Sequence, residues 1–283
     1  MTLKDRFHLG IICIIAAVSS FPSESFSLNG ADVAVYNDTS YPEGGAWREG
    51  IDAIKAMLDS YGYNHEDITP DQINNTGNLH SLYKVIIIGG GWAGGYNAYI
   101  NRSGYENIRQ FVSSGGGYFG ICAGSYFASE VVMWKPNFST PFEVYHYPLG
   151  IFHGVARGAV LSVKAWTSPT GCVSGITEGG AMTTVRIDSS LVPGVRSDVR
   201  MLYYGGPVFI PFPDQTGEIS VVGRYEVPRT PADGTPAMIL FQYGGGRVFL
   251  SSPHPEISFD ECTLYYDPET WELMNSILSL LME

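Results

Sequence analysis

The segment Gly115-Gly116-Gly117-Tyr118-Phe119-Gly120-Ile121-Cys122-Ala123-Gly124-Ser125 constrains this chain more than any other. It reads as a buried strand that enters a Gly-x-Cys-x-Gly turn and leaves as a helix. A sharp strand-to-helix turn lifts one side chain clear of a sheet, and glycines on both sides leave room for the backbone to reverse. Cys122 would then stand at a helix N-terminus, where free N–H groups and the macrodipole favour thiolate over thiol. The segment predicts a nucleophilic cysteine.

The flanking residues extend this into an architecture. Residues 32–36 form a short apolar run, a predicted first strand. Trp47, Ile51, Ile54 and Leu58 recur at helical spacing, and Gly62 ends that helix. Residues 84–88, Lys-Val-Ile-Ile-Ile, are almost continuously β-branched, as strands buried on both faces are, and stop at Gly89-Gly90-Gly91. Ser103-Gly-Tyr-Glu106 matches a capping box opening an amphipathic helix through Tyr105, Ile108 and Val112. Alternating strands and helices predict an α/β fold: a doubly wound, mostly parallel sheet with helices on both faces. Ligands of such sheets sit beyond the carboxyl ends of the strands, where Cys122 and the glycine run both fall. Residues 142–224 read differently, with short β-like runs at 159–163, 182–187 and 201–204 among many Gly and Pro. These predict antiparallel additions over the same core. Residues 236–242 and 247–251 form a predicted hairpin through Tyr243-Gly244-Gly245-Gly246, and Asp267-Pro268 opens a closing helix.

The first residues stand apart. Lys4, Arg6 and His8 precede an apolar run at 9–18 and a Ser/Pro stretch, the layout of a secretory signal peptide over 1–27. Its apolar core is too short to span a bilayer comfortably, the alternative being an uncleaved, poorly anchored N-terminal helix. The expectation is an exported single α/β domain over 30–283, with no stable membrane span after cleavage. Hydrophobic residues at 45% against 16% charged give ample material for its core. A net charge of −12, with no basic run, argues against a nucleic-acid partner. Beyond the leader stand Cys122, Cys172 and Cys262, an odd set that leaves one thiol free or intermolecular in an oxidising compartment. The simplest assignment pairs Cys172 with Cys262 and leaves Cys122 reduced; three unpaired thiols also fit the spacing. No Cys-x-x-Cys or His-x-x-x-His spacing points to a metal, and no cofactor is called for.

A thiolate nucleophile needs a proton acceptor and a group to orient it. His254, in Ser251-Ser252-Pro253-His254-Pro255-Glu256, follows an apolar strand, and residues i and i+2 of an extended segment share a side. Glu256 would therefore orient His254, although an ordinary rigid turn has the same spacing. The N–H of Ala123 and that of Gly90 or Gly91 would form an oxyanion hole. Trp92, Tyr96, Tyr126 and Tyr204 lie near glycine-rich strand exits, where they would wall a pocket or pack in the core or at the rim. Glu143 reads as a solvated loop carboxylate, the alternative being a second carboxylate near the site, and His146 and His153 as surface or internally satisfied histidines.

Gly120-Ile-Cys-Ala-Gly124 and His254-Pro-Glu256 together resemble the class I glutamine amidotransferase-like superfamily, and within it most closely the N-terminal domain of biotin–protein ligases and its stand-alone relatives. The resemblance runs in order through Val85 to Gly91, Gly116 to Ala128, Phe142-Glu-Val144 and Tyr203-Tyr-Gly-Gly206 to the late His-Pro-Glu. It implies a flavodoxin-like sheet with added antiparallel strands and a Cys122–His254–Glu256 triad. Typical amidotransferases follow the elbow with Gly-His-Gln; here Gly124 precedes Ser125-Tyr126-Phe127, so glutamine specificity is not implied. The expected function is a thiol hydrolase acting on an amide or acyl bond of a small molecule or peptide, the alternative being a non-catalytic binding or scaffold protein.

Overall fold

The computed structural model describes residues 31–283, so the predicted leader over 1–27 lies outside the described residues. β1 (Val33–Tyr36), α1 (Arg48–Ser60), β2 (His65–Ile68), α2 (Pro70–Asn75), β3 (Val85–Ile88), α3 (Ala93–Tyr99), α4 (Arg102–Ser113), β4 (Gly117–Ile121) and α5 (Ala123–Ala128) follow in order. Next come β5 (Ser129–Trp134), β6 (Glu143–His146), β7 (Phe152–Gly158), β8 (Gly180–Ile187), β9 (Asp198–Tyr204), β10 (Val208–Pro211) and β11 (Ile219–Glu226). The chain closes through the hairpin β12 (Pro236–Tyr243) and β13 (Gly246–Ser251), the ribbon β14 (Ser258–Asp260) and β15 (Thr263–Tyr265), and α6 (Pro268–Met282).

Nine strands form one sheet in the order β2-β1-β3-β4-β13-β12-β11-β8-β9. The first five run parallel, and the strands from β13 to β9 pair antiparallel. The predicted hairpin supplies the join, since β13 pairs parallel with β4 and antiparallel with β12. Side chains alternate across the strands as a two-sided sheet requires. Val33, Val35, Val85 and Ile87 pack with α1 and α6; Ala34, Tyr36, Ile86 and Ile88 pack with α4 and α5. The order β2-β1-β3-β4 places the topological switch between β1 and β3, and the turns after β1, β3 and β4 converge there.

Several local expectations give way. Asn101, not Ser103, caps α4: its side chain accepts from the Gly104 N–H, and Ser103 lies inside the helix. An amide side chain two residues upstream takes the capping role before the serine can. Residues 159–163 form no strand, because Val163 and Lys164 N–H turn back onto the Val160 carbonyl. The added strands also exceed simple antiparallel extensions. β10, β7, β5 and β6 make a separate four-stranded sheet in which β5 and β7 run parallel. It begins directly after α5, and so stands over the end of the main sheet that bears Cys122.

Candidate active site

Cys122 joins β4 to α5 with φ +48° and ψ −100°, a region that non-glycine residues rarely occupy. Its N–H donates to the Ser251 carbonyl at 2.8 Å, which pins the turn to the end of β13. Gly124 is required by close approach, since a β-carbon there would lie 1.9 Å from the Ile88 carbonyl oxygen. Cys122 is a free thiol, 5% exposed, and its Sγ donates to the Tyr204 carbonyl at 3.4 Å. Cys172 and Cys262 are bonded to each other.

β13 delivers the partner. Three residues past its end, His254 donates its N–H to Leu202 of β9 at 2.7 Å, and its Nδ1 lies 2.7 Å from Glu256 Oε1. Both side chains are fully buried. The Glu256 carbonyl accepts from the Trp271 indole N–H at 2.8 Å, so α6 holds the segment from behind. With Nδ1 engaged, His254 Nε2 is left buried without a hydrogen-bond partner, and it shares a cavity of about 290 Å³ with Cys122. Burial works against the imidazolium, but the Glu256 carboxylate and then Cys122 outweigh it, and the imidazole pKa is raised to about 10.

The turn after β3 fits against this pair. A β-carbon on Gly90 would lie 2.3 Å from His254 Cε1, so the glycine backbone sits flat against the ring. Gly91 has φ +138° and could carry no side chain, because its β-carbon would lie 1.9 Å from the Gly45 carbonyl oxygen. The loop that meets it is fixed by Asp38, which is fully buried and accepts from Gly45 N–H at 2.9 Å, Ala46 N–H at 2.8 Å and the Tyr36 hydroxyl at 3.0 Å. Gly45 then accepts from Trp92 N–H, and Gly90 from Trp47 N–H. Trp47 thereby meets the His254 ring edge to face at 5.3 Å.

A second cavity of about 500 Å³ opens over Cys122. Of the residues singled out in the sequence, Gly91, Trp92, Ala123, Tyr126 and Tyr204 line it. Gly90 and Tyr96 do not. Gly90 is spent on packing beneath the imidazole, and Tyr96 is a core residue whose hydroxyl donates to the Gly89 and Gly90 carbonyls. Of the two glycines, Gly91 is the one that lines the cavity with Ala123. Glu143, read as a solvated carboxylate, stands exposed on β6 and lines the same cavity. His153 is satisfied between Glu130 and Asp214. Trp134, Tyr145, Tyr147 and Trp166 also line the cavity without any sequence signal. They come from the second sheet and from the irregular residues 159–179, where no periodicity marks which side chains face inward. Trp47 continues the apolar spacing of α1 in the sequence, but it is the N-cap residue and its ring is turned to the imidazole.

Residues 31–280 match the family described as Biotin-protein ligase, N terminal. The chain belongs to that family. A biotin–protein ligase of Schizosaccharomyces pombe is 30% identical over 203 residues, which cover 70% of this chain and 30% of the yeast protein. An uncharacterized protein of Chlamydia muridarum is 29% identical over 184 residues, covering 64% of this chain and 63% of that protein. The chain thus spans less than two thirds of either relative. A cold-adapted β-galactosidase of Rahnella sp. R3 superposes with a TM-score of 0.55 at 14% identity, over 88% of this chain and 31% of that one. At this identity the likeness is one of fold alone. In this member of the biotin–protein ligase N-terminal family, the positions after the elbow have structural tasks. Ser125 is buried and donates to the Gly120 or Ser251 carbonyl, and Tyr126 donates to the Gly205 carbonyl at 2.9 Å.

Proposed function

We propose that this chain is an exported thiol hydrolase that cleaves an amide or acyl bond of a small molecule or peptide and is not specific for glutamine. The observation that carries this reading is the buried His254–Glu256 pair beside a free cysteine on a strained elbow, at the edge of a cavity large enough for a substrate. Cys122 Sγ attacks the acyl carbon while the adjacent His254 imidazolium holds the proton at Nε2. The C–N or C–O bond breaks as His254 passes that proton to the leaving group. Water then attacks the thioester with His254 as base and restores the thiol. Glu256 keeps the imidazole in the tautomer with Nε2 toward the sulfur, and the N–H groups of Ala123 and Gly91 receive the oxyanion. Export is supported by the Cys172–Cys262 disulfide, a bond suited to an oxidising compartment.

A binding role is the second reading. It is favoured by one contact: the Cys122 thiol points to the Tyr204 carbonyl rather than making a hydrogen bond to His254. Alkylation with iodoacetamide separates the two. The hydrolase reading expects Cys122 to be carbamidomethylated at neutral pH about tenfold faster than a free thiol, and His254→Ala to remove the advantage. Peptide mapping locates the label, and Cys122→Ala, still folded by circular dichroism, takes none there. A wild-type rate no greater than that of a free thiol supports the binding reading and overturns catalysis.

A further inference from the structure

The cavity over Cys122 is walled mainly by aromatic rings. Trp92, Trp134, Trp166, Tyr126, Tyr145 and Tyr204 all line it, and Glu143 contributes a carboxylate. Among the described residues, no lysine, arginine or histidine lines this cavity. Trp166 stacks on Tyr204 with centroids 4.9 Å apart and planes at 24°, giving a flat wall of π surface, and Trp134 meets Trp166 at 6.5 Å. Glu143 pairs across the strand with Trp134, and the Tyr145 hydroxyl donates to it, so the carboxylate is held at the edge of the wall. Lys135, the neighbour of Trp134 in sequence, is engaged elsewhere, over the Phe142 ring at 4.6 Å.

These features discriminate by charge. Aromatic faces carry negative quadrupole density and attract cations, most strongly where water is excluded. An anionic group entering here would meet ring faces and the Glu143 carboxylate, the His254 imidazolium of the adjoining cavity being already paired with Glu256, whereas a hydrated alkylammonium or trimethylammonium group would exchange water for both. We propose that the cavity selects substrates that bear a cationic, apolar amine group beside the bond to be cleaved. The proposal rests on the hydrolase reading above and names its substrate class. An α-carboxylate such as that of glutamine is disfavoured by the same wall.

The test uses two methanethiosulfonates on the intact protein, one carrying a trimethylammonium group and the other a sulfonate. In each case the thiolate attacks the sulfenyl sulfur, a disulfide forms and methanesulfinate leaves. Salt at about 1 M shortens the Debye length to roughly 3 Å and suppresses steering by the net charge of −12, leaving contacts inside the cavity. The rate ratio, cationic over anionic, is expected to exceed that of 2-mercaptoethanol by about tenfold at Cys122. It should fall severalfold in Glu143→Gln, a change on an exposed edge strand, and in Trp166→Leu. In the wild type, tetraethylammonium should slow alkylation of Cys122 by iodoacetamide where benzoate does not. A ratio equal to that of 2-mercaptoethanol, or one that neither substitution moves, overturns the proposal. Both reagents report on the same sulfur, so slow absolute rates with a preserved ratio would count against the hydrolase reading and leave the charge preference standing.

Discussion

His254 holds its Nδ1 against Glu256 in a place that water barely reaches, and that arrangement sets a measurable protonation state. Burial alone would discharge the ring, but the Glu256 carboxylate and Cys122 reverse the balance and raise the imidazole pKa from 6.5 to about 10. A folded state that binds the proton more tightly than the unfolded chain gains stability below the unfolded value. That gain is complete below about pH 6.5 and is lost as the pH rises through about 10. NMR of the His254 ring should therefore show no titration across neutrality in the wild type. In Glu256→Gln the carboxylate is gone and burial dominates, so the ring should titrate at or below its usual value. Denaturation between pH 6.5 and 10 should show falling stability in the wild type and a flatter profile in the variant. A wild-type ring that titrates near 6.5 would refute the ion pair.

The elements around the site differ in how plainly the sequence announces them. β3 and β4 are runs of apolar residues with glycine at their ends, and burial on both faces leaves no other pattern possible, so the elbow and the glycine turn could be read directly. The His254–Glu256 contact was readable for the same reason, because two residues of an extended segment share a side whatever surrounds them. The loop formed by residues 38–47 was not. Asp38 looks like any turn carboxylate in sequence, and only tertiary contact shows that it gathers two backbone N–H groups and a tyrosine hydroxyl. Trp134, Tyr145, Tyr147 and Trp166 of the aromatic wall were hidden likewise, since β5 to β7 are partly exposed and the Trp166 segment has no period. Asp38 gives this scale its prediction. Asp38→Ala leaves those three donors unpaired in a buried place, a loss of about 2–4 kcal/mol in urea denaturation. It should also slow labelling of Cys122, because the loop carries Trp47 to the imidazole and the Gly45 carbonyl to Trp92. Wild-type labelling in a destabilised Asp38→Ala protein would show that the loop has no part in positioning the site.

For the molecule as a whole, the parallel half of the large sheet carries Cys122 and leads into the His254 segment, while the second sheet and the long irregular segment after β7 wall the cavity over the sulfur. That segment carries Trp166, yet residues 159–179 contain no helix or strand to hold it in place. Its anchors include the stack on Tyr204, the contact with Trp134 and the bond from Cys172 to Cys262 in the β14–β15 turn. The bond closes a sequence separation of 90 residues that spans β8 to β14, so cutting it releases much more than a local loop. Closing a loop of this length removes unfolded-state freedom worth several kcal/mol in the chain-entropy view, and loss of a native bond typically costs about 2–5 kcal/mol. The double substitution Cys172→Ser and Cys262→Ser should lower the urea midpoint accordingly. Reductant should destabilise the wild type and leave the double variant unaffected. The effect should also be uneven: amide protons of residues 159–179 should exchange faster in the variant by a larger factor than those of β3 and β4, whose strands are paired on both sides within the core. If exchange in that segment matched the wild type, contacts other than the disulfide, the stack on Tyr204 among them, would be holding Trp166, and the disulfide would act on the unfolded chain without shaping the cavity wall.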